Sequence, residues 1–284
     1  MDVRKVGVVG LGTMGAGIAQ VCVQAGVPTV GREVSEELCE TARTRIDHYL
    51  GRGVEKGRLT SEEKAAALAR LDTTTKLSDL VDCDVVVEAI VEDLNAKQEL
   101  FRELDGIVGA EAILATNTSA LSVAEIAAAT DSPERVVGMH FFNPAPVLPL
   151  VEVVRTEAAS EDAVETVYAF AERIGKRPIR CADTPGFVVN RILIPLLNDC
   201  VRVLDEAGVT PEDLDTAMTA GVNWPIGPCA LIDLIGVDVH VHASEALHAA
   251  LGEERMAPPK RLQDMLAAGQ LGRKTGAGFF SYDA

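Results

Sequence analysis

Residues 7–26 read GVVGLGTMGAGIAQVCVQAG, and the way this stretch folds decides the rest of the chain. The apolar run ending at Val9 predicts a strand, and Ala16 to Ala25 predicts a helix. Between them Gly10, Gly12 and Gly15 spell G-x-G-x-x-G, with Leu11, Thr13 and Met14 completing the turn. The pattern alone is weak. Here it has the strand–turn–helix setting, and Glu33 closes the next strand candidate 23 residues after Gly10, near the roughly 20 expected of an acidic ribose partner. Gly10 permits the tight turn, Gly12 lets backbone approach a pyrophosphate, and Gly15 lets the helix pack on the strand. The helix start offers unclaimed N–H groups and a positive dipole end to an anion. A carboxylate at position 33 accepts ribose hydroxyls and repels a 2′-phosphate, which favours NAD over NADP; the adjacent Arg32 weakens that preference.

Outward from this turn, strand candidates fall at Lys5–Val9, Thr29–Gly31, Val85–Glu88, Ile113–Thr116, Val136–His140, Leu150–Val154 and Ile179–Cys181. Helical patterns such as Ala16–Ala25 and Ala96–Val108 lie between most of them. Strands separated by helices predict an α/β fold: a Rossmann-type, doubly wound, mostly parallel sheet covered on both faces. One connection is oversized, because residues 35–71 read as two polar helices joined around GRGVEKGRLTSEE. After Pro185-Gly186 the strand signals stop. Phe187 to Ala220 reads as helix, and a further helical pair follows Gly227-Pro228. The expected division is a dinucleotide-binding domain at 1–185, carrying the hairpin insertion, and an all-helical domain at 186–284.

Composition narrows the partners. Of 284 residues 48% are hydrophobic, yet aromatics are only 4%, so the core rests on Val, Ile, Leu and Ala. A net charge of −17 leaves no room for a broad basic face and argues against nucleic acid and anionic membranes. A phosphorylated ligand must then be gripped by local basic groups or backbone amides. The six cysteines are scattered without a C-x-x-C pair, as expected of reduced thiols. MDVRKVGVVG enters a strand at once and is not a signal peptide, and no apolar run is of spanning length. A cytoplasmic location is expected.

In an open parallel sheet, ligands bind beyond the carboxyl ends of the strands. Four polar clusters fall there: Glu88–Glu92, the run Thr116-Asn117-Thr118-Ser119, His140 with Asn143, and Asn190 past the domain boundary. His140 ends one apolar run of VVGMHFFNPAPVLPLVEVV (136–154) and Glu152 sits inside the next. Burying either unpaired costs several kcal/mol, so each is expected to serve the other. His240, His242 and His248 lie near Glu245 at helical spacing. With no further ligand cluster, they read as a solvated face, and no metal site is expected. His48 reads as a surface residue.

The segments GLGTMGAGIAQ, NTSALS, MHFFNPAPVLPLVEVV, PGFVVNRIL and LGRKTGAGFF, in that order, resemble the L-3-hydroxyacyl-CoA dehydrogenase family, nearest its short-chain 3-hydroxybutyryl-CoA branch. The resemblance covers essentially the whole chain. It implies an NAD domain, a helical dimerisation domain and an active site in the cleft between them, with an acyl-CoA substrate and a homodimer or larger oligomer. The family's catalytic pair falls on His140 and Glu152, and its substrate-oxygen contacts on Ser119 and Asn190. Its dinucleotide contacts fall on the glycine turn, Glu33, Glu92, Lys97, Asn117, Asn143 and Lys274. The insertion corresponds to the hairpin that contacts coenzyme A, with Arg52 and Lys56 at its basic positions.

The chain departs from the family pattern at four places. Glu33 replaces the usual ribose aspartate, Ala120 a second serine, Pro149 a common lysine and Trp224 a common histidine. The last two leave the acyl-chain preference open. Two other readings remain at this point: a β-hydroxyacid dehydrogenase of the hydroxyisobutyrate type, and a non-catalytic, crystallin-like NAD-binding protein. The first uses a catalytic lysine where this chain has Asn190-Arg191, and the second does not require Ser119, His140, Glu152 and Asn190 together.

Overall fold

Short β-branched runs supply the strands. In the computed structural model, which describes residues 1–282, the first compact unit spans Met1–Thr184 and the second begins at Pro185. The first unit runs β1 (Val6–Val9), α1 (Thr13–Gln24), β2 (Thr29–Arg32), α2 (Glu36–Glu55), α3 (Ser61–Leu68), β3 (Leu71–Thr74) and β4 (Val85–Glu88). It continues with α4 (Leu94–Asp105), β5 (Ile113–Thr116), α5 (Val123–Ala127), β6 (Val136–Phe141), β7 (Leu150–Arg155), α6 (Glu161–Arg173) and β8 (Arg177–Ala182). The eight strands form one sheet in the order β3-β2-β1-β4-β5-β6-β7-β8. Every neighbouring pair is parallel except β6 and β7. This is the Rossmann-type architecture expected from the alternation of strand and helix signals. Val6, Val8, Val85, Val87, Leu114 and Val137 are wholly buried, as continuous apolar strands must be when helices cover both faces.

The glycine turn owes its shape to close approach. Gly10 has φ +85°, a left-handed conformation that disfavours side chains, and a methyl on Gly15 would strike the Gly10 carbonyl. Helix α1 can therefore start against β1 only with these residues.

The oversized connection is a helical hairpin, as its sequence predicts. Ser35 caps α2 by accepting the Leu38 N–H at 3.3 Å. Thr60 and Glu63 form a reciprocal capping box that starts α3. Cys39, Ala42, Ile46 and Leu50 make one buried stripe along α2. Arg43 donates to the Leu71 carbonyl at 2.8 Å, tying the hairpin to the strand that follows it. That strand, β3, was not expected from the sequence.

The second unit contains α7 (Val189–Ala207), α8 (Pro211–Val222), α9 (Pro228–Ile235), α10 (Val237–Leu251) and α11 (Lys260–Ala267). The single helical stretch expected over Phe187–Ala220 is in fact two helices. Gly208 ends α7 in the left-handed conformation, and Thr210 with Pro211 at the first helical position starts α8. Leu197, Val201, Ile232, Val237, Val241 and Leu262 form the core of this unit. The buried Asp233 carboxylate accepts the N–H groups of Phe279 and Phe280 and the Tyr282 hydroxyl, pinning the last described segment.

His240 is not on a solvated face, as its sequence neighbours suggested. It is fully buried, and its Nε2 meets Asn198 Oδ1 at 2.9 Å. Of its polar neighbours, His242 and Glu245 are exposed and His248 is half-buried. No group of three or more His, Cys, Asp or Glu among the described residues could hold a metal. No helix of the described residues is long and apolar enough to cross a membrane.

Candidate active site

The reversal between β6 and β7 builds the centre of the site. An antiparallel pair can be joined by a short loop, and here residues 142–149 suffice. The ladder places Met139 opposite Val153 and His140 opposite Glu152. His140 Nδ1 lies 2.7 Å from Glu152 Oε2, with His140 5% exposed and Glu152 not at all. The Phe142 ring sits 4.5 Å from the imidazole, centroid to centroid. A carboxylate this deep is tolerable because its neighbour hydrogen-bonds to it.

A second charged cluster lies at the ends of β4 and β5. Glu88, wholly buried, accepts the Ile90 N–H at 2.7 Å, the Thr116 hydroxyl at 2.7 Å and the Lys97 ammonium at 2.5 Å. Lys97 is 1% exposed and also meets Glu92 at 3.3 Å. Glu92 Oε1 in turn accepts the Thr118 hydroxyl at 2.6 Å and the N–H groups of Ser119 and Ala120 at 2.9 and 3.2 Å. Burial opposes ionisation of Glu92, but the Lys97 charge and the Thr118 and Ser119 donors outweigh it and hold the carboxyl below its usual range. The turn carrying Ser119 is thus wrapped around a carboxylate. Asn117 accepts the Phe141 N–H at 2.9 Å, joining the ends of β5 and β6.

At the glycine turn, Gly12 caps α1 without any side-chain hydrogen bond, and space above it is open. The first-turn N–H groups, uncapped by any side chain, suit an anion such as a dinucleotide pyrophosphate. Glu33 stands at the end of β2, its Oε1 accepting the Leu11 N–H at 2.7 Å and its Oε2 the Val34 N–H at 3.0 Å. Each oxygen keeps a lone pair for a ribose hydroxyl.

A cavity of about 690 Å³ opens between α1, the helical hairpin and the 143–147 loop. Arg45, Arg52, Lys56 and Arg58 line it, together with Thr13 and Asn143 and with no acidic residue. In a chain of net charge −17 this is a local basic site. Arg43, tied to Leu71, does not line it.

Asn190 and Lys274 belong to the second unit. Asn190 is in the first turn of α7, and the Lys274 ammonium is held by both Asp238 oxygens at 2.5 and 2.6 Å. Sequence reasoning placed Glu88 among the polar strand ends but missed its part as the hub of the Lys97 and Thr116 network. Its position at the end of an all-valine strand, nine residues before a lysine on an apolar helix face, was the available signal.

Residues 5–184 match the model of the 3-hydroxyacyl-CoA dehydrogenase NAD binding domain, and residues 186–282 match that of the C-terminal domain. The chain is 45% identical over 282 residues to 3-hydroxybutyryl-CoA dehydrogenase of Mycobacterium tuberculosis, covering 99% of each chain. It is 44% identical over 278 residues to the probable 3-hydroxybutyryl-CoA dehydrogenase of Deinococcus radiodurans, covering 98% of this chain and all of the relative. The crystal structure of (S)-3-hydroxybutyryl-CoA dehydrogenase from Ralstonia eutropha superposes with a TM-score of 0.96 at 41% identity, covering all of both chains. The fold and the glycine-turn site define an oxidoreductase that uses a nicotinamide dinucleotide. Within that class, the chain belongs to the 3-hydroxyacyl-CoA dehydrogenase family, in its short-chain branch.

Proposed function

We propose that this chain interconverts an (S)-3-hydroxyacyl-CoA and the matching 3-oxoacyl-CoA, with the 3-hydroxybutyryl-CoA and acetoacetyl-CoA pair as its natural length. The observation that carries this reading is the His140–Glu152 pair, 2.7 Å apart and buried on two interior strands of the sheet. With Nδ1 held by the carboxylate, Nε2 exchanges a proton with the substrate oxygen. In the oxidative direction neutral His140 takes the proton of the 3-hydroxyl, and in the reductive direction the imidazolium returns it. Glu152 orients the ring, and such positioned proton transfer contributes about 10²- to 10⁴-fold in rate. Ser119 and Asn190 hold the substrate oxygen as its charge changes.

The dinucleotide supplies a hydride acceptor or donor for carbon 3 when bound. The glycine turn (Gly10 to Gly15), Glu33, Glu92, Lys97, Asn117, Asn143 and Lys274 are the residues that hold it, and Glu33 selects NAD over NADP. Arg52 and Lys56, assisted by Arg45 and Arg58, take the phosphates of coenzyme A. Residues 1–185 act as the NAD domain and 186–284 as a helical substrate and dimerisation domain. Dimerisation is supported by the apolar side chains the second unit presents, with Ile192, Val222 and Leu234 each more than half exposed. The site of action is the cytoplasm.

The test is NADH oxidation with acetoacetyl-CoA, run beside NADPH and beside free acetoacetate and 3-hydroxyisobutyrate with NAD. Turnover confined to the CoA ester and faster with NADH supports the reading. Turnover of 3-hydroxyisobutyrate, or no turnover of any substrate, rejects it.

A further inference from the structure

A buried lysine away from the dyad holds one wall of the basic cavity. Lys176 sits in the turn between α6 and β8 and is 8% exposed. Its ammonium donates to the Ala145 carbonyl at 2.5 Å and to the Leu148 carbonyl at 3.0 Å. The next residue, Arg177, donates its N–H to the Pro149 carbonyl at 2.7 Å. Among the described residues no Asp or Glu forms an ion pair with Lys176. Burial draws its ammonium below the ordinary lysine range, against the opposing pull of the Cys22 thiol. A charge buried without a counter-ion is costly, so its two carbonyl acceptors matter more here than at a surface.

Those acceptors belong to the loop that lines the cavity. Ala145, Pro146 and Val147 face it alongside Arg52 and Lys56, and the same loop begins with Asn143. On the other side α1 presses close: a methyl on Gly17 would lie 3.1 Å from Pro146 Cδ and 3.2 Å from Ala145 Cβ. The loop is clamped between the glycine face of a helix and a charged side chain. We propose that Lys176 is a positioning residue for acyl-CoA, fixing the cavity wall through the Ala145 and Leu148 carbonyls. This rests on the assignment of the cavity to the coenzyme A moiety.

The experiment compares wild type with Lys176→Met, which keeps the stem and removes the donors, and Lys176→Gln, which keeps a donor without the charge. Three readouts are taken: amide hydrogen exchange over residues 142–149, KM for acetoacetyl-CoA and KM for NADH. Charge-assisted hydrogen bonds are roughly twice as strong as neutral ones, so Lys176→Met should raise both loop exchange and the acyl-CoA KM roughly tenfold or more. KM for NADH should rise several times less than the acyl-CoA KM, because Asn143 is the one residue of this loop assigned to the dinucleotide, and Lys176→Gln should fall between. If Lys176→Met does not fold, the Gln variant carries the same comparison. Unchanged loop exchange in the folded variant, or faster exchange with an unchanged acyl-CoA KM, overturns the proposal. A wild-type protein without acetoacetyl-CoA turnover overturns instead the functional reading on which it rests, and does so before any variant is compared.

Discussion

Glu152 faces His140 across one rung of the only antiparallel ladder in the sheet, so the two side chains meet without help from any loop. Oxidation needs the neutral ring and reduction the imidazolium. Glu152→Gln should lower the rate in both directions by at least about tenfold, since the ring loses the carboxylate that orients it. His140→Gln should lose most of the rate but keep NADH affinity. Initial rates in both directions and NADH titration of the folded variants check this. A Glu152→Gln enzyme with wild-type rates would mark the pair as a strand fastener only.

Glu33 should decide between the two dinucleotides. Glu33→Ser removes the charged acceptor at the end of β2, and NADH affinity should drop about tenfold or more. NADPH affinity should rise, because nothing then repels the 2′-phosphate and Arg32 stands beside it. Fluorescence titration with both nucleotides measures the ratio.

Arg52→Ala/Lys56→Ala should raise KM for acetoacetyl-CoA severalfold while sparing NADH, and the wild-type KM should climb with salt more steeply than the variant's. Matching salt slopes would detach these side chains from the coenzyme A phosphates.

Glu88 and Lys97 form a sealed ion pair, which has a different signature. Glu88→Ala leaves Lys97 only its longer contact to Glu92 and strips the donors of Thr116 and Ile90 of their acceptor, and should cost about 3–5 kcal/mol. Glu88→Leu combined with Lys97→Met should recover much of that loss in urea denaturation. A double variant as unstable as Glu88→Ala would mean that the charge itself is required there.

His240 should make the protein sensitive to acid. Burial pushes its pKa from 6.5 to about 4. Below pH 6.5 the unfolded chain gains a proton that the folded chain refuses, so stability falls as the pH drops toward about 4 and levels off beneath it. Over that window wild type should lose roughly 3 kcal/mol more than His240→Gln, since a tenfold difference in proton affinity is worth about 1.4 kcal/mol. Denaturation midpoints at matched pH values provide the comparison; parallel curves would sink it.

How far these features could be read from sequence depended on whether burial follows local pattern. β4 and β5 stand at the bounds expected from VVVE and ILAT, because strands buried on both faces show as apolar runs. β3 was missed since only Leu71 of LDTT is buried: an edge strand pairs on one side and keeps its polar residues. Lys97 shares a helix face with Leu100, Phe101 and Leu104, so its burial was legible from spacing. His240 could have been placed the same way, with Val237, Val241 and Ser244. Lys176 could not, because IGKRP reads as a surface turn until the fold brings the Ala145 loop over it.

The reversed strand has a practical consequence. Side chains alternate across a strand, so sliding β7 by one position would set Val151 or Val153 against His140 and turn Glu152 to the far face of the sheet. No half-separated arrangement lies between the two alignments. Specific activity after refolding should then count correctly aligned molecules, making an ordinary spectrophotometric assay a census of strand pairing.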